Sequence, residues 1–242
     1  MSKTRQVAGG GRAVEVPPDR LRGWFARFAE RNDGVVSTTL RPGEVVVTAR
    51  NGTTAVAAVP FGPLSVEGGV EGGVEGGVDG DFARDAERDF EGLAVEQLIT
   101  HMRQSRRIGL LLVRLGGHSM GIVRDGQVLV SRTDRQQVHG RSAAGGWSQH
   151  RFARRREGQV RQSLQHAALN AFEVLVPRLD DMDAVVLGGD RHALDELRED
   201  RRLTPLFARA EARVLDVAEP RLDVLVEAAE RAVALEIVVR DS

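Results

Sequence analysis

Apolar residues along the chain follow two rhythms, period two and period three to four, and their order separates a front part rich in antiparallel strands from a rear part of alternating strands and helices. From Pro18, PDRLRGWFARFAERN sets Leu21, Trp24, Phe25 and Phe28 on one helical face, with proline at its start and Asn32-Asp33-Gly34 at its end. That spacing predicts a short amphipathic helix. VVSTTL, EVVVTAR and TAVAAVPF follow as strand-like runs, separated by Arg41-Pro42-Gly43 and by Asn51-Gly52; the second separator is a hairpin signal. Residues 17–105 therefore read as a small α+β domain with an antiparallel meander. Residues 1–16, polar and glycine-bearing, read as a flexible N-terminus. Within the front domain, 66–80 repeats VEGG three times and then decays. Acidic and unable to bury a face, it reads as a flexible loop without chemistry. DFARDAERDFEGLAVEQLITHMRQSRR has a helical pattern, with Gly92 as a break that would make it two helices.

The rear part, 106–242, opens with IGLLLVRL, a run suited to a central strand. HSMGIVRD and QVLVSRTD follow, joined by the turn dipeptide Asp125-Gly126. Val160, Leu164, Ala167, Ala168, Ala171 and Leu175 then recur at helical spacing until Pro177, which predicts a helix of five or six turns. AVVLGG reads as a strand, DRHALDELRED as a helix, ARVLDV as a strand and RLDVLVEAAERA as a helix; a final strand, ALEIVVR, is expected to close the same sheet. The fold class expected is α/β, a mixed sheet covered by helices and preceded by the small α+β domain.

Composition narrows the chemistry. The chain of 242 residues holds no cysteine, which excludes disulfides and thiolate metal sites and suits a reducing cytoplasm. No apolar run approaches the roughly 20 residues that span a bilayer, and the first residues lack the apolar core of a secretion signal. His101, His118, His139, His150, His166 and His192 show no metal-binding spacing with carboxylates. Gly188-Gly189-Asp190 follows a strand, but a glycine pair before a helix-capping aspartate is ordinary loop chemistry. With no phosphate-loop motif, neither a metal nor any other cofactor is expected.

Charge is where the sequence becomes specific. The whole chain carries a formal charge of −1, yet from Arg132 to Arg161 eight arginines face only Asp134 and Glu157. Such concentration marks a surface for a polyanion. Its centre, GRSAAGGWSQHRFARRREGQVR, joins a small-residue loop around Gly145 and Gly146 to the arginine run. The glycines leave no side chain between the main chain and a partner, so the loop can enter a narrow cavity. Arg154, Arg155 and Arg156 also stand near a helix start, where positive charge opposes the dipole. A purely solvated role suits them poorly.

The order strand, small-residue loop, Gly-Gly, Gln and then R-F-x-R-x-R opening a helix resembles the glycine-glycine-glutamine loop of eukaryotic and archaeal class-one peptide release factors. With Ser148-Gln149 in place of an immediate glutamine it is more similar still to the Vms-like release factor branch and its actinobacterial members. The similarity spans about 106–240. It implies a ribonuclease-H-like central domain and a peptidyl-tRNA hydrolase working in ribosome rescue and quality control. Gly145, Gly146, Ser148 and Gln149 would then form the catalytic loop, with Gln149 positioning water at the ester. Arg141, Trp147, His150, Arg151, Arg154, Arg155, Arg156 and Arg161 would bind RNA. The resemblance implies the ribosome, its large-subunit rRNA and peptidyl-tRNA as partners of a monomer in the cytoplasm, with neither DNA nor membrane.

The residues fit that implication and leave alternatives. A glutamine amide both donates to and accepts from water without acting as a base, and guanidinium forks suit phosphate. Trp147 could stack on a base or pack the loop, and Phe152 reads as a core anchor. Because Trp147 and Ser148 separate the glutamine from the glycines, a non-catalytic ribosome or tRNA-binding factor remains the alternative. A magnesium-dependent RNA nuclease would need clustered carboxylates, and the predicted strands carry too few.

Overall fold

The computed structural model describes residues 4–7, 9–66, 87–135 and 148–242; for residue 135 and residues 148–157 it describes the backbone alone. In chain order the elements are β1 (Thr4–Gln6), β2 (Arg12–Val16), α1 (Leu21–Arg31), β3 (Val35–Arg41), β4 (Glu44–Ala49), β5 (Thr54–Ala58), β6 (Arg88–Glu91), α2 (Glu96–Met102), β7 (Arg107–Arg114), β8 (Gly117–Arg124), β9 (Gln127–Arg135), α3 (Ser148–Val174), β10 (Ala184–Gly189), α4 (Arg191–Arg198), α5 (Thr204–Ala208), β11 (Ala210–Leu215), α6 (Leu222–Ala232) and β12 (Leu235–Arg240). They divide into two units, residues 1–104 with 233–242 and residues 105–232.

In the first unit seven strands form one antiparallel sheet, β1-β2-β12-β5-β4-β3-β6. Alternation dictates one covered face: Val45, Val47 and Ala49 of β4, Ala55 and Ala57 of β5, and Leu235, Ile237 and Val239 of β12 are buried. Leu21, Phe25 and Phe28 of α1 and Leu98, Ile99 and Met102 of α2 pack into the same core. Phe25 is wholly buried, and full burial of such a ring contributes about 1.5–3 kcal/mol. Asn51-Gly52 makes the expected turn between β4 and β5: Gly52 has φ 87° and the Thr53 N–H donates to Asn51 Oδ1 at 3.0 Å.

Three expectations are corrected in this unit. The final strand does not close the rear sheet; β12 lies between β2 and β5. Its half-buried alternation suits a sheet with one covered face, whereas a strand buried on both faces is apolar at nearly every position. Residues 12–16, read as part of a flexible end, are β2, held by that same β12, and Thr4–Gln6 adds β1 beside it. Residues 88–91, read as helix, form β6 against β3. Their charges suit an edge strand, and Arg41, at the end of β3, meets Glu87 at 3.0 Å. Among the described residues of that stretch, helix is confined to Glu96–Met102. Residues 67–80 of the glycine-rich repeat lie outside the described residues.

The second unit holds a five-stranded mixed sheet, β11-β10-β7-β8-β9. β10 runs parallel to β7 and β11, while β8 is antiparallel to β7 and β9. Ile108, Leu110, Leu111, Leu112 and Val113 of β7 are all buried, as expected of a central strand covered on both faces. Leu164, Ala167, Ala168 and Ala171 of α3 pack with Leu111, Val113, Met120 and Ile122 on one side. On the other side α6 lies against β7, β8 and β9 and buries Leu225, Ala228, Ala229 and Ala232. Asp125 and Gly126, at φ 51° and 79°, turn β8 into β9 with the backbone such hairpins favour.

Candidate functional site

The arginine-rich segment leaves the second sheet at the end of β9 and rejoins the described chain at Ser148, the first residue of α3. Gly145, Gly146, Trp147 and Arg141 lie outside the described residues. Ser148, Gln149 and His150 form the first turn of α3, and Arg151, Phe152, Arg154, Arg155 and Arg156 follow on its next turns, with backbone alone described. Arg161, one turn further on, is exposed. At 27 residues the helix is about 40 Å long, longer than the apolar spacing alone predicts. Its first buried side chain among those described is Ser163, and the apolar stripe begins one turn earlier with the partly buried Val160.

The contacts that join the end of β9, β8 and the C-terminal part of α3 are polar and were not singled out from sequence. On the face towards α3, Arg132 of β9 pairs with Glu173 of α3 at 2.7 Å. On the same face the buried Asn170 of α3 donates its amide to Nε2 of the buried His118 on β8, at 2.7 Å, which leaves the imidazole proton on Nδ1. On the opposite face Ser119 of β8 and Thr133 of β9 join hydroxyls at 2.6 Å. The end of β9 and the C-terminal part of α3 are thus tied to β8 and to each other. The available signal was the pair His118-Ser119 at the start of the otherwise buried run HSMGIV, because a buried polar side chain needs a partner.

Burial pushes the His118 pKa below its ordinary 6.5 by penalising the charged ring; Asp134, its neighbour in register on β9, opposes the shift, while Arg132 and His166 add to it. A depressed folded value means that the native state refuses protons which the unfolded chain accepts. Its stability contribution is therefore complete above about pH 6.5 and declines as pH falls below it. Urea unfolding between about pH 5 and 7.5 should show this decline. His118→Gln, which stays neutral and retains an acceptor for Asn170, should flatten that part of the profile.

Among the described residues no cluster of three or more His, Asp or Glu side chains could hold a metal ion, and no helix is long and apolar enough to cross a membrane.

Residues 106–238 match the family model acVLRF1, described as Actinobacteria/chloroflexi VLRF1 release factor. This is more than half of the chain, and the chain belongs to that family. Among solved structures, the crystal structure of the archaeal translation termination factor aRF1 is 14% identical, with 90% of this chain and 72% of that one covered at a TM-score of 0.40. Pelota of Archaeoglobus fulgidus is 13% identical, with 96% and 66% covered at 0.30. Dom34 of S. cerevisiae is 8% identical, with 93% and 65% covered at 0.26. No match was found among curated proteins.

Proposed function

We propose that the chain is a peptidyl-tRNA hydrolase that acts on ribosome-bound substrate in the cytoplasm, as a monomer, and releases stalled nascent chains. One observation carries the reading: within the family-matched region, Gly145-Gly146 stand one residue before a helix whose second residue is Gln149 and whose next turns carry Arg151, Arg154, Arg155 and Arg156. The strand order of the second sheet, with its second strand antiparallel, supports the ribonuclease-H-like reading of this domain.

The chemistry asked of the protein is small. Peptidyl-tRNA holds its peptide through an ester, and hydrolysis needs an oriented water and donors for the oxyanion. The large-subunit RNA would surround that ester, so the protein supplies a slim loop. Gly145 and Gly146 admit it, Ser148 and the Gln149 amide orient water, and no side chain has to ionise. Arg141, His150, Arg151, Arg154, Arg155, Arg156 and Arg161 hold phosphates of rRNA or tRNA, and Trp147 stacks on a base or ribose.

The test is release of labelled peptide from peptidyl-tRNA on purified stalled ribosomes. Turnover well above spontaneous hydrolysis is expected. Tight ribosome binding with release at the spontaneous rate would instead favour the non-catalytic factor, the reading supported by the Trp147-Ser148 insertion. Salt dependence tests the arginines separately. Each phosphate contact contributes about −0.7 to −0.9 to the slope of log K against log salt, so Arg154→Ala with Arg155→Ala should flatten it by about 1.5. An unchanged slope would remove both from the interface.

A further inference from the structure

The first unit carries a cavity of about 490 Å³ that the release chemistry does not use. Its wall is one face of α1, with Trp24, Arg27, Phe28 and Arg31 at helical spacing and Asn32 just beyond, closed by β2 through Arg12. We infer that this cavity binds one nucleotide of a single-stranded RNA, with the base against Trp24 and the flanking phosphates on Arg12, Arg27 and Arg31.

Charge comes first. Among the described residues none of the three arginines is ion-paired with a carboxylate, whereas Arg5, Arg22 and Arg41 of the same unit are. The acids nearest on α1 and its end, Glu30 and Asp33, do not line the cavity. Three unneutralised guanidiniums around one concavity call for an anion, and their planar forks suit phosphate oxygens. The helix itself makes room for one of them. Ala is a better helix former than Gly at position 23, yet a Cβ there would stand 3.2 Å from the Arg27 guanidinium.

The aromatic wall is rigid. Trp24 is half-buried, stacks on Phe28 with centroids 5.7 Å apart and planes 10° apart, and meets Phe25 edge-on at 5.0 Å and 88°. An indole fixed in this way is a stacking platform for any base. The volume lies within the range of small-ligand sites and suits one nucleotide rather than a duplex. Asn32 is already engaged: its amide donates to the Phe28 carbonyl at 2.7 Å and its oxygen accepts from Asn51 at 3.1 Å. The side chain best able to read a base edge is therefore committed to the protein, and binding should be indifferent to base identity. The choice of RNA over DNA rests on the proposed function in translation; the nucleotide chemistry does not.

The chain has two tryptophans, so the full-length Trp147→Phe variant makes Trp24 the sole indole. Ten-nucleotide oligo(U) and oligo(A) should each quench its fluorescence saturably, with affinities within about 3-fold of each other because stacking is sequence-tolerant. Arg27→Gln with Arg31→Gln, exposed positions on α1, should weaken that binding about 10-fold or more at low salt while leaving the urea midpoint in place. Absence of a saturable Trp24 signal, or unchanged affinity in the double variant, overturns the site. Adenosine monophosphate binding as tightly as the oligomers overturns the RNA strand as ligand in favour of a free nucleotide. Peptide release is a separate readout, so this site can fail while the hydrolase reading stands, and the reverse.

Discussion

Gln149→Ala should lower peptide release from stalled ribosomes by about 10²-fold or more, the scale seen when one positioned hydrogen-bonding group is lost from a reacting centre. Ribosome affinity should stay within a few-fold of wild type. The reasoning is one of differential stabilisation: an amide that orders the attacking water contributes at the transition state, whereas phosphate contacts along α3 contribute equally to the bound ground state. Loss of Gln149 therefore belongs in the rate, and loss of Arg154 or Arg155 in binding. Gln149→Asn keeps the amide but withdraws it by one methylene, so its rate should also fall steeply if reach matters. Release by Gln149→Ala at the wild-type rate would transfer the catalytic assignment elsewhere in the loop. A variant that fails to bind would instead place Gln149 among the RNA contacts.

What the sequence made legible was local. The hairpins at Asn51-Gly52 and Asp125-Gly126 follow from turn chemistry, and the stripe Leu164, Ala167, Ala168, Ala171 predicts the buried face of α3. β7 was evident from its unbroken apolar run. Apart from β1, which pairs with the neighbouring β2, the misplacements involve partners distant along the chain. β12 and β2 stand at opposite ends of the sequence and pair over residues 235–239 and 12–16, and no local rhythm names a partner. β6 is too charged to read as a strand because an edge position tolerates charge. The helical pattern of that stretch yielded to pairing with β3.

The same division holds for the site. Gly145, Gly146, Gln149 and the arginines are visible because composition and motif sit in one short stretch. Asn170, Glu173, His118 and Thr133, which tie α3 and β9 to β8, are dispersed over more than 50 positions. Each looks ordinary alone. Their role becomes apparent only when α3 crosses the sheet.

A second large effect is expected from a glycine that carries no chemistry. Gly189 closes β10 at φ +105°, opposite Val113 of β7, and a Cβ there would fall well inside contact distance of the Val113 carbonyl. β7 cannot yield easily. The Val113 carbonyl already accepts the Asp190 N–H at 2.8 Å, and its strand is central and buried. Gly189→Ala therefore combines a left-handed backbone angle with a clash against main chain, and should cost about 3 kcal/mol or more. Gly188→Ala is the milder comparison, because its backbone angle is an ordinary one and the nearest atoms to a Cβ there are the tip of the Leu112 side chain at 2.7 Å and the Leu215 carbonyl oxygen at 3.2 Å. Its cost should be nearer 1–2 kcal/mol. Urea midpoints of the two variants measure the difference directly, and equal losses would mean that the β10 end adapts. Asp190 also caps α4, accepting the His192 N–H at 2.9 Å, and α4 packs into the core that holds α3. Strain at Gly189 should thus reach the helix that presents Gln149, and release by Gly189→Ala should decline on warming before that of wild type.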